Sequence, residues 1–212
     1  MTRPPDVLWP AVHEERRALI EDMASLPTPR WQTPSLCSGW DVHQVLAHLL
    51  DSAKTTRLGF VARLAAARFD FDRNNATGVT RERADDPATT LDVFRSVALR
   101  TSTPPAPRAT RLVEMFVHGE DIRRPLGIRR DYPIRPVITA LRHQLATTVK
   151  MGGGRERARS WRLVASDAEF TEGAGPEVRG PAVALLLAIS GRQVDPTELT
   201  GPGVAAFTGH PE

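Results

Sequence analysis

Apolar residues along 6–26, DVLWPAVHEERRALIEDMASL, recur at spacings of three and four with charge between them, which predicts an amphipathic helix. The connector PTPRWQTPSLCSGW follows, with three prolines in its first eight residues. A second helix is predicted over about 40–67, with Val42, Val45, Leu46 and Leu49 on one stripe and Ser38 or Asp41 near its start. ARFDFDRNNATGVTRERADDPA is polar and rich in turn residues and reads as a loop. Helical period returns in ATTLDVFRSVALRTS, with Thr89 or Thr90 as its cap, and TPPAPR breaks the chain again. A fourth helix is predicted over about 107–124, stopped by Pro125 and Gly127. Four helices separated by breaks predict a bundle.

The remainder has another pattern. PIRPVITALRHQLATTVKM reads as a fifth helix and GGGRERAR as a flexible joint. In SWRLVASDAEFTEG, Trp161, Leu163 and Ala165 alternate with Arg162, Val164 and Ser166, the period of a strand, and Asp-Ala offers a turn. GPAVALLLAISG is helix or buried strand by period; Gly180-Pro181 at its start and Gly191 at its end favour a helix. The expected fold class is α+β, mainly α, with a bundle over 1–127 and a small α+β domain over 128–212.

Composition adds exclusions. Hydrophobic residues make up 41% and charged residues 25% of the 212 positions, which suits an ordinary globular protein with a sizeable core. No apolar run is long enough for a membrane helix, and MTRPPDVLWPAVHEE lacks the apolar centre of a signal peptide, so a cytoplasmic location is expected. The net charge is only +3, with acids and arginines interspersed, which argues against nucleic acid as a partner. Nearly all the basic residues are Arg, whose fork suits carboxylate ligands. The single cysteine, Cys37, excludes an internal disulfide and paired-cysteine zinc patterns, and PSLCSGW sets no charge beside it in sequence; a small structural residue is expected there.

The histidines carry the candidate chemistry. His13 beside Glu14 and Glu15, His43 after Asp41, and His143 after Arg142 read as surface residues, and His210 falls in the terminal tail. His48 and His118 have more suggestive neighbours. In EMFVHGEDIRR, Glu114 and His118 are four residues apart, about 40° of helical rotation, so both leave one face. Asp121 falls about 20° to the other side of Glu114 and Arg111 about 60° away. Apolar residues fill most of the remaining circumference, so this polar stripe faces solvent or a lined cavity, and spacing alone leaves both open. His48 shares its side of the second helix with Asp41, Ser52 and Thr55, which fits a solvated face equally well. If the two helices meet, two imidazoles and a carboxylate would suit zinc or another first-row divalent ion with a position left open. Glu120, Asp121, Arg123 and Arg124 read mostly as surface ion pairs, Asp121 excepted, which is placed to hydrogen-bond His118.

LCSGWDVHQVLAHLL and RLVEMFVHGEDIRRPLG resemble the two signature segments of the mycothiol-dependent maleylpyruvate isomerase family, among the DinB-like metalloenzymes. LVASDAEFTEGAGPEVRGPAVALLLAISGRQVDPTELTGPG is similar to that family's C-terminal domain, so the resemblance spans nearly the whole chain in order. It implies a DinB-like four-helix bundle with a divalent metal, usually zinc, on His48, Glu114 and His118. It also implies a catalytic arginine from the C-terminal domain, matched by Arg192 with Arg179 as a competitor; both are candidates for contacting the cosubstrate. Mycothiol would be the thiol cosubstrate, activated at the metal, and the reaction cis–trans isomerisation of a maleylpyruvate-type substrate or S-transfer to another small electrophile, possessing carboxylates in the first case. The competing reading is a non-enzymatic bundle with a structural metal. Either reading allows a monomer or a homodimer.

Overall fold

The computed structural model describes residues 8–209, and His210 lies outside them. The chain divides into an N-terminal unit, Met1–Arg130, and a C-terminal unit, Asp131–Glu212.

In the N-terminal unit, α1 (Leu8–Met23), α2 (Val42–Lys54), α5 (Pro87–Ser96) and α6 (Thr110–Arg123) form a four-helix ring in which α1 packs on α5 and α6, and α2 packs on the same two. Val42, Val45, Leu46 and Leu49 of α2, Leu19 of α1, Phe94 of α5, and Leu112 and Phe116 of α6 form its core. The start of α2 is fixed by a reciprocal cap. The Asp41 carboxylate accepts the Gln44 amide at 2.7 Å, and the Gln44 side chain accepts the Asp41 amide at 2.9 Å.

Two boundaries differ from the sequence pattern. The expected long second helix stops at Lys54 and restarts as α3 (Arg57–Ala66). Thr55 and Thr56 are extended, and the Thr56 hydroxyl accepts the Gly59 amide to cap the new helix, an alternative that adjacent threonines offer the backbone. The segment read as a loop contains α4 (Phe71–Glu82), capped by Asp70 at the Arg73 amide. It packs on α2 with Gly78 directly against Asp51 and buries Val79, so a sparse apolar face and one close glycine approach are enough to seat it. At α5 the cap is Asp86, with Pro87 in the first turn, rather than Thr89 or Thr90.

Several charged side chains are interior, among them Arg123 and Glu120, which were expected at the surface. Glu15, Asp121 and Arg123 are each 0% exposed, and Glu120 is buried too. Arg123 reaches from α6 to Asp22 at 2.7 Å and Glu15 at 3.5 Å on α1, Arg130 approaches Glu15 at 3.1 Å, and Arg124 pairs with Glu120 at 2.7 Å. His43 is buried, its Nε2 2.8 Å from the Thr90 hydroxyl, which also accepts the Ala84 amide. His13 is half-buried against Trp9. Arg16 is interior and donates to the carbonyls of Ala98 and Arg100 beyond the end of α5; burial brings its pKa down to about 10, so it stays cationic at neutral pH.

The C-terminal unit contains α7 (Ile134–Ala146), α8 (Arg155–Ala158), a three-stranded sheet, α9 (Ala182–Ile189) and α10 (Val204–Thr208). The sheet order is β2-β1-β3, with β1 (Arg162–Ala165) antiparallel to β2 (Thr171–Glu172) and parallel to β3 (Glu177–Gly180). The apolar α9 packs against α7, β1 and β3. Asp167 accepts the Ala182 amide at its start, and Gly191 (φ +81°) closes its end, with Gly191 bonding back to Ala188 and Arg192 to Leu187. The expected flexible joint is instead packed backbone: a Cβ on Gly153 would meet Thr147 and one on Gly154 would meet Ile189. Among the described residues, no helix is long and apolar enough to cross a membrane.

Two measurements check this packing. Arg123→Ala leaves Glu15 and Asp22 without their buried partner and should lower the unfolding free energy by about 3–5 kcal/mol in urea titration, whereas Arg95→Ala, at an exposed pair with Asp92, should change it by less than about 1 kcal/mol. Burial, and secondarily Arg83, holds the His43 imidazole below its ordinary 6.5 against the opposite pull of Asp41 and Asp86. The unfolded chain therefore takes up this proton first as pH falls, so the stability His43 contributes is present above pH 6.5 and declines as pH drops through that value toward the lower folded one. His43→Gln should show a smaller decrease in urea midpoint between neutral and mildly acidic pH than the parent; an equal decrease would assign the pH dependence elsewhere.

Candidate metal centre

Packing of α2 on α6 brings His48, Glu114 and His118 together. The His48 and His118 rings meet edge to face with centroids 4.8 Å apart, and His48 Nε2 lies 3.9 Å from Glu114 Oε1. Trp40 covers His48 with a centroid separation of 5.2 Å. The three side chains are 12–17% exposed, and Ser52, which accepts from Arg111 beside Glu114, is buried, so these polar residues of the two helices face each other rather than solvent.

The charge balance of this interior is set by Arg111. Its guanidinium lies 2.8 Å from Glu114 and donates to the Ser52 hydroxyl. Burial pushes the Glu114 pKa upward, but Arg111, with His48 behind it, outweighs that and holds the carboxyl below its ordinary range, ionised at neutral pH. His48 moves the other way. Burial, then the neighbouring His118, brings its pKa down to about 4, so at neutral pH it is an uncharged imidazole with a lone pair. Neither of its ring nitrogens makes a hydrogen bond among the described residues, and Nδ1 is fully desolvated. His118 does have an orienting partner: Asp121 Oδ2 lies 2.8 Å from Nδ1, the contact its helical spacing anticipates. A carboxylate there holds a proton on Nδ1 and leaves Nε2 with the lone pair.

A neutral imidazole with an unpartnered buried nitrogen at His48, a second imidazole at His118 and an ionised carboxylate at Glu114 are a donor set that fits a first-row divalent ion. The 3.9 Å between His48 and Glu114 is too long for a hydrogen bond, yet within the span of two ligands on one ion, each at about 2.0–2.2 Å.

Sequence spacing placed Cys37 away from charge, and the fold does not. PSLCSGW turns back on itself: the Cys37 amide bonds to Ser35 Oγ at 3.0 Å, the Trp40 amide to the Cys37 carbonyl at 3.1 Å, and Gly39 adopts φ +80°. The Leu36 amide bonds to the Asp121 carbonyl at 3.2 Å, pinning the turn to α6. Cys37, His118 and Asp121 consequently offer ligand atoms that all lie within 4.8 Å of one another. The one signal for this in the sequence was the position of Cys37 inside the same segment as His48.

Arg179 and Arg192 belong to the C-terminal unit. Arg179 sits on β3 and pairs with Glu177 at 2.9 Å; Arg192, half-buried just beyond α9, donates to the Ser190 carbonyl at 3.0 Å.

Residues 12–103 match the family model described as the mycothiol maleylpyruvate isomerase N-terminal domain, a stretch that includes His48 and ends before Glu114. No curated protein matches the chain. Two solved structures share its fold over 95% of this chain and 96% of theirs: the mycothiol-dependent maleylpyruvate isomerase, at TM-score 0.60 and 15% identity, and a histidine-to-alanine mutant of it, at 0.63 and 14%. Residues 12–103 are therefore similar to the N-terminal domain of the mycothiol maleylpyruvate isomerase family, and the fold of the whole chain is the one those two structures have.

Proposed function

We propose that this chain is a divalent-metal-dependent enzyme that uses mycothiol as a thiol cosubstrate. The reaction is addition of the thiol to a small electrophile, either reversibly, as in cis–trans isomerisation of a maleylpyruvate-type diacid, or as lasting S-transfer. The observation that carries the reading is that His48 of α2 lies beside both Glu114 and His118 of α6, in a chain whose residues 12–103 match this family's N-terminal domain.

His48, Glu114 and His118 would hold the ion, with zinc the expected metal. When bound, the ion would lower the pKa of a thiol and make it nucleophilic at neutral pH. The chain's own residues set the conditions for this. Asp121 fixes the His118 ring, and burial keeps His48 neutral and able to donate its lone pair. One carboxylate and two neutral imidazoles leave a divalent ion with net positive charge, which favours an incoming thiolate or carboxylate. Trp40 limits the water around His48. Addition to the conjugated double bond converts it to a single bond, rotation follows, and elimination returns the thiol with the trans product. Arg192, with Arg179 as the alternative, is assigned to a substrate or cosubstrate carboxylate through its guanidinium fork.

Zinc titration of the purified chain should give one ion per chain, and His48→Ala should lower its affinity by tenfold or more. Unchanged stoichiometry and affinity would remove His48 from the centre. With metal restored, mycothiol-dependent conversion of maleylpyruvate or of a panel of electrophiles should appear, and Arg192→Met should reduce it with bound metal unaltered. A stoichiometric metal without any mycothiol-dependent turnover would mark the ion as structural.

A further inference from the structure

We propose that Cys37, His118 and Asp121 form a second, thiolate-containing site for a soft divalent cation such as zinc, sharing His118 with the first donor set. The three side chains supply sulfur, nitrogen and oxygen ligand atoms within 4.8 Å of one another, on two chain segments held in register by the Leu36–Asp121 backbone bond. The turn carrying Cys37 is internally fixed through Ser35, Trp40 and Gly39, so the thiol is presented by a tied loop. Asp121 is completely buried, and its Oδ2 lies 2.8 Å from Nδ1 of the imidazole that would share the ion. Nearby, His48 brings a desolvated ring nitrogen without a hydrogen bond.

Charge and softness separate the two sets. A thiolate and a carboxylate neutralise a divalent ion, whereas Glu114 with two imidazoles leaves it one positive charge. Sulfur favours zinc and cobalt over magnesium, calcium or manganese. A neutral imidazole offers one lone pair, so the sets compete for one ion through His118. With the ion on Cys37 the protein's own sulfur takes the role of an external thiol ligand, a resting arrangement that free thiol would displace. This displacement rests on the proposed function; the thiolate site does not.

Cobalt(II) reports the ligand directly. Cobalt added to the wild-type chain should produce an intense near-ultraviolet thiolate-to-metal absorption, and since Cys37 is the single cysteine, Cys37→Ser should abolish it. The band should persist in Glu114→Gln. Zinc at about ten times its Kd should also slow alkylation of Cys37 by iodoacetamide roughly tenfold, since only the unoccupied fraction reacts. Stoichiometric cobalt without the band, or alkylation unaffected by zinc, overturns the site and leaves the His48–Glu114–His118 centre standing. A band retained in His48→Ala supports a thiolate site that does not need His48.

Discussion

Ionisable side chains carried into the interior by α6 must find partners there, and the N-terminal unit is arranged around that requirement. A buried charge left alone costs several kcal/mol, far more than an exposed pair contributes. Arg123 finds Asp22 and Glu15 on α1, Glu114 finds Arg111 one turn back, and Asp121 finds His118 one turn back. The first set fixes how α1 lies on α6; the other two face α2 and the turn around Cys37. The same demand therefore positions a structural helix pair and a chemical centre. It also explains why α6 has so little amphipathic character: its charged residues are distributed between two interior faces instead of one solvated one.

How much of this was legible in the sequence depended on which signal each residue left. Apolar period marked α1, α2, α5 and α6, because these helices bury broad apolar faces. It missed α4, which buries only Val79, Gly78 and Asn74 and meets α2 through the bare backbone of Gly78 against Asp51 and the ion pairs Lys54–Glu82 and Arg81–Asp51, none of which makes a periodic apolar stripe. It also ran α2 into α3, since Thr55 and Thr56 break a helix through side-chain hydrogen bonds that leave the apolar pattern intact. Glu114 and His118 could be paired by spacing within one helix, but bringing His48 to them takes a contact between α2 and α6, which no local pattern encodes. Arg123 and His43 looked like surface residues for a related reason. Their partners, Asp22 and Thr90, are distant in sequence or on other helices, and a charge or imidazole reads as solvated until its partner is known. The glycines at 153 and 154 left the opposite impression: composition suggests flexibility, whereas lack of a Cβ is what lets the backbone pack against Thr147 and Ile189.

Arg111 makes the electrostatics of the centre finely divided. In a buried site a guanidinium 2.8 Å from Glu114 keeps that carboxylate ionised, which prepares it as a ligand, yet it also competes with any cation for the same oxygens. A divalent ion at Glu114 must accept a cation as its neighbour's neighbour. That penalty would be relieved if an anion, thiolate or carboxylate, joined the ion, so with a metal bound there the protein charges alone would favour an anionic visitor. Cys37 is the one thiol in the chain and is tied by its turn beside His118. On the proposed reading it would satisfy the same preference from within, which would set the protein's own sulfur and an external thiol in competition for a single vacancy of charge.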